Sequence, residues 1–159
     1  MKQLSTAFVF ATLPVSAIAE TQLERLERIS EEMTDAMYEA MISMVERQGG
    51  DPAPLRGAMP ASTWDKDFRA AGACMLDRFT DKSSPEAVTQ MLDEMEAFLP
   101  EVATMDLENA DEDMNFLPAG ISEDYSIQVN SECGLSEIMM QRMQESGFSA
   151  AMMQAMRGN

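Results

Sequence analysis

Apolar residues recur along this chain at spacings of three and four, the period of an α-helix with one face turned inward. From Thr21 to about Gln48 the repeating positions are Leu23, Leu26, Ile29, Met33, Met37, Met41 and Met44, with Glu24, Glu27, Glu31, Asp35 and Glu39 mostly on the rest of the surface. This predicts one long amphipathic helix stopped by Gly49-Gly50. Asp51-Pro52-Ala53-Pro54 through Met59-Pro60 cannot continue it, so a Pro/Gly-rich loop is expected at about 49–61. Ser62-Thr63-Trp64-Asp65 resembles a capping box, and Trp64, Phe68, Ala71, Met75 and Phe79 fall on one face of the helix expected to follow. Ser84-Pro85-Glu86 opens a third helix, with Val88, Met91, Leu92, Met95, Phe98 and Leu99 as its apolar face and Pro100 as its expected end.

The C-terminal third reads less evenly. Tyr125, Ile127 and Val129 alternate as in a strand, while Tyr125, Val129 and Cys133 fit a helical spacing of four. A lone strand would have no partner, so one helix is expected from near Ser122 to about Glu145, with Gly134 as its weak point. Gly147 is expected to cap it and Ser149 to begin a last short helix. Ser136 to Met143 matches Ser149 to Met156 at an offset of thirteen residues, two copies being too few for a solenoid. The fold class predicted is all-α, a single irregular bundle of five or six helices.

The N-terminus follows a different logic. Lys2 supplies a positive charge, Ala7 to Leu13 an apolar run, and Ala17 and Ala19 the small residues before a cleavage point. Residues 1–19 are therefore expected to be a bacterial type of secretory signal peptide, leaving a helical domain over 20–159. The run is shorter than the roughly twenty residues a membrane span wants, so no membrane insertion is expected after cleavage. The expected location is the periplasm or the outside medium.

That setting changes how the two cysteines are read. Cys74 and Cys133 are the only pair, and in an oxidising compartment the simplest arrangement is a disulfide between them rather than two free thiols. Closing a loop of roughly sixty residues contributes on the order of 4 kcal/mol in the chain-entropy treatment.

Charge and composition narrow the function classes. The chain carries 28 acidic and 11 basic residues, a formal net charge of −17, and no histidine. Such a surface repels nucleic acid, so no nucleic-acid partner is expected. Without histidine, Ser-His-Asp and Cys-His catalysis is impossible, and no Gly-rich phosphate loop or nucleophile elbow occurs. No enzyme and no cofactor is expected. Asp111-Glu112-Asp113-Met114-Asn115 begins like a calcium loop, but Phe116 stands where the turn needs Gly and Ser122 where the loop needs Glu.

Methionine is abundant, with 17 copies. The thioether is polarizable and flexible, suited to adaptable packing and to grooves that accept a partner helix. The leading expectation is thus a non-enzymatic exported protein that binds another, unidentified protein. The alternative is Cu(I) binding through methionine clusters, with Met139, Met140 and Met143 as the candidate ligands.

Overall fold

In a computed structural model the chain is described over residues 20–105 and 114–157. The expected signal peptide and the acidic stretch 106–113 lie outside the described residues. The fold is all-helical, and among the described residues there are seven helices and no strand. In chain order they are α1 (Gln22–Arg47), α2 (Ala53–Arg56), α3 (Lys66–Lys82), α4 (Pro85–Val102), α5 (Glu123–Glu132), α6 (Leu135–Glu145) and α7 (Phe148–Met156). No helix among the described residues is long and apolar enough to cross a membrane.

Local sequence sets each boundary. Thr21 caps α1 in a reciprocal capping box with Glu24, and Gly49 takes the left-handed conformation just past its end. Ser84 caps α4 by accepting from the Ala87 N–H, with Pro85 at the first helical position. Pro100 does not end this helix as expected; α4 runs on to Val102, because a proline so near the terminus costs only one of the last backbone bonds.

Three further boundaries differ from those expected. The loop after α1 contains a short helix, α2, which buries Leu55 completely. α3 is capped by Asp65, whose carboxylate accepts from the N–H groups of Asp67 and Phe68, so Trp64 stands ahead of the helix rather than in it. The single helix expected over 122–145 is two helices, α5 and α6, because Gly134 adopts φ of 80°, which no helical residue can hold. The count therefore exceeds the five or six expected. The segment 124–133 is helix, not strand.

Two cores share α1. The larger contains Leu26 and Ile29 of α1, Leu76 and Phe79 of α3, Val88, Met91 and Leu92 of α4, together with Ile121 and Val129. The smaller contains Ile42 and Val45 of α1, Leu55 of α2 and Ala155 of α7. At 26 residues α1 is about 39 Å long, enough to run through both. The stretch of α1 between them, Met33 to Met41, belongs fully to neither, and a small hollow opens there.

Polar contacts tie the helices at their rims. Arg25 bridges to Asp93 at 2.7 Å and to Glu96, and Arg28 reaches Glu96 at 2.8 Å, joining α1 to α4. Arg69 of α3 pairs with Glu27 of α1. Cys74 of α3 and Cys133, the C-cap of α5, are joined as a disulfide with a Cα separation of 5.8 Å, matching the expected pairing.

Candidate functional site

Among the described residues a cleft of about 540 Å³ is bordered by five helices. α1 contributes Leu26, Ser30 and Met33, α3 contributes Met75 and Phe79, α4 contributes Met91 and Met95, α5 contributes Ser126 and Asn130, and α6 contributes Leu135 and Met139. Trp64 and Phe68 close one end, and Met114 and Phe116 border it from the segment before α5. Six thioethers, those of Met33, Met75, Met91, Met95, Met114 and Met139, thus share one surface with four aromatic rings. Among the described residues the polar side chains that line it, Ser30, Ser126, Asn130 and Ser136, are neutral. A site of this composition accepts apolar surface and fixes it with few hydrogen bonds.

Packing holds the aromatic end in place. The Trp64 ring lies 4.8 Å from that of Phe68, and its backbone N–H donates to the Glu31 carboxylate at 2.7 Å. Gly72 lets the indole approach: a Cβ there would meet Trp64 Cζ3 at 2.3 Å. Phe116 packs on Phe98 at 5.4 Å.

A second, smaller hollow of about 180 Å³ adjoins the first and shares Phe68 and Met139 with it. Its walls include Met37, Tyr38 and Met41 of α1, Met139, Arg142 and Met143 of α6, and Phe148 of α7. Arg142 is the polar organiser. Its guanidinium donates to the carbonyls of Ala61 and Thr63 at 3.0 Å and to Asp65 Oδ2 at 2.7 Å, while lying 4.7 Å over the Phe68 ring. The Asp65 carboxyl is held below its ordinary value, first by the Phe68 N–H and then by Arg142. Burial pushes the Tyr38 phenol up, and the Asp35 charge adds to that.

The methionines singled out by sequence divide between these surfaces. Met139, 51 % exposed, borders both clefts, and Met143, 37 % exposed, borders the smaller. Met140, 58 % exposed, lies on neither wall, since a neighbouring residue on a helix points about 100° away. Met37 and Met41 complete the smaller wall, so the sulfurs brought together come from two helices. The spacing i, i+4 in both pairs was the signal available in the sequence. Trp64 and Arg142 were not readable as site residues. Among the described residues no three of His, Cys, Asp and Glu gather where they would hold a metal ion.

The acidic excess is free to act on whatever approaches. Arg25, Arg28, Arg56, Arg69, Arg78 and Arg142 are all engaged in ion pairs within the fold. Exposed carboxylates stand beside the larger cleft in sequence, Glu94 next to Met95 and Glu137 next to Ser136. Compared with known protein families, curated proteins and solved structures, the chain matches none.

Proposed function

We propose that the chain acts outside the cytoplasm as a non-enzymatic binding module, holding an amphipathic, basic-margined helix of another protein in the larger cleft. Export rests on the Lys2, apolar run and Ala17/Ala19 pattern and on the cysteine pair. The observation that carries the binding reading is the wall of six thioethers and four aromatic rings in the cleft bordered by α1, α3, α4, α5 and α6. Unbranched thioether side chains repack around different apolar surfaces at small cost, the property expected of a helix-accepting groove. The net charge of −17, with the arginines above already paired, selects for a partner whose polar face is basic.

Trp64 is the only tryptophan and borders the cleft, so its emission reports occupancy. A designed amphipathic peptide with a Leu face and a Lys face is expected to shift that emission, with a dissociation constant on the order of micromolar that weakens with salt. The same apolar face backed by Glu is expected not to bind. Met33→Ser with Met95→Ser, at partly exposed positions of the wall, should weaken the Lys peptide roughly tenfold or more, about 1.4 kcal/mol. Met153→Ser with Met156→Ser, on exposed methionines of α7, should leave it unchanged. Equal binding of both peptides, or equal loss in both double variants, would remove the reading. Intact mass of the exported protein should show a start at Glu20.

A further inference from the structure

We propose that the smaller hollow is a soft-metal site in which Met37, Met41, Met139 and Met143 supply four thioether ligands to one Cu(I) ion. The two pairs are each spaced i, i+4, which places both sulfur-bearing side chains of a pair on the same helix face. α1 presents one pair and α6 the other, and all four border the same hollow of about 180 Å³.

The chemistry of the donors selects the ion. Thioethers are neutral and soft, and they suit Cu(I) rather than Zn²⁺, Mg²⁺ or Ca²⁺. Cys74 and Cys133 are joined to each other, which leaves the methionines as the available sulfur. Arg142 borders the hollow but is no isolated cation: Asp65 neutralises it, two backbone carbonyls accept from it, and its face is laid on Phe68. Beyond that local pair, the net charge of −17 favours the arrival of a cation. Exposure argues in the same direction. Met139 and Met143 are too open to serve mainly as core, and three rotatable bonds let their sulfurs close onto an ion.

This site is separable from the helix-binding cleft, because Met37, Met41 and Met143 do not border the latter. The test is anaerobic titration of the disulfide-intact mature chain with Cu(I) in competition with a chromogenic Cu(I) chelator. One equivalent should be withheld from the chelator, with an affinity that stays flat between about pH 5 and 8, since thioethers do not titrate there. Met37→Leu with Met143→Leu should weaken the affinity roughly tenfold or more, whereas Met140→Leu should not change it. Leucine conserves volume, so the variants should keep the native circular dichroism and unfolding midpoint. On the unsubstituted chain, Ag(I) as a redox-inert stand-in should shift the methyl resonances of the four ligands and spare Met153 and Met156. Absence of competition, an unchanged double variant, an equal loss in Met140→Leu, or Ag(I) shifts spread evenly over the methionines would each overturn the proposal.

Discussion

Gly72 lies inside α3, where replacing glycine by alanine ordinarily stabilises a helix by about 0.5–1 kcal/mol. Here the added Cβ would sit 2.3 Å and 2.6 Å from two atoms of the Trp64 ring. Overpacking therefore wins, and Gly72→Ala should destabilise the fold by about 1–3 kcal/mol. Urea unfolding followed by Trp64 emission measures this directly; a stabilised variant would mean the indole does not rest on α3. Arg142 is the second residue whose environment decides its role. Its side chain is 15 % exposed and its charge is spent on the Ala61 and Thr63 carbonyls and on Asp65. Arg142→Met keeps the apolar stem over Phe68 and deletes those bonds, so a loss of about 1.5–3 kcal/mol is expected by chemical denaturation. Neither role was legible in the sequence. A glycine in a helical pattern reads as a flaw, and an arginine among exposed glutamines reads as surface. The disulfide partners were legible because a chain with two cysteines has a single intramolecular pairing available.

Among the seven described helices, α6 alone contributes no fully buried residue. It attaches through Arg142, through the methionines of the smaller hollow and through Gly134, the residue after Cys133. The bond between Cys74 and Cys133 therefore anchors the C-terminal helices to α3. The sequence separation is 59 residues, and its loss should cost about 4 kcal/mol. Reduction should release the chain in order: hydrogen exchange in α5 and α6 should accelerate before α1 and α4, whose contacts include Ile29, Val88 and Leu92. Uniform acceleration across all helices would show that the bridge stabilises only through the unfolded chain. Element boundaries were legible where a single cap dominates, as at Thr21 and Ser84. They failed at α3, where Ser62 and Asp65 are both acceptable caps and Asp65 is favoured by its additional pairing with Arg142. The alternation of Tyr125, Ile127 and Val129 also misleads. In α5 it leaves Ile127 62 % exposed while Val129 is buried, a division that a helix makes and a one-faced strand does not. Gly134 and Gly147 both take positive φ thirteen residues apart, so the internal repeat begins at the glycine that starts each helix, with Arg142 in the place of Ala155.

For the molecule as a whole, charge sets two opposing responses to acid. Glu24, Asp65 and Glu96 all titrate below their ordinary values in the fold. The causes are the Thr21 backbone N–H at Glu24, the Phe68 N–H at Asp65, and Arg25 followed by Arg28 at Glu96. A carboxyl lowered by folding contributes stability above its unfolded pKa and loses it as pH falls through the folded one. With ordinary values of 4.5 for Glu and 3.8 for Asp, that loss begins only below about pH 4.5. Above it the stronger influence is self-repulsion at a net charge of −17, which shrinks as the pH approaches the isoelectric point near 4.1. Exposed ion pairs contribute only about 0–1 kcal/mol each, too little to reverse a charge excess of this size. The midpoint of thermal unfolding should therefore be higher at about pH 5 than at about pH 8, then fall at about pH 3. Added salt should raise it at the alkaline end, where repulsion is screened, and do less near pH 5. Circular dichroism melts at low and physiological ionic strength separate the repulsion from the ion pairing. A midpoint lowered by salt near pH 8 would mean that the bridges of Arg25, Arg28 and Arg69 outweigh the acidic excess, and would remove the electrostatic argument for a basic partner.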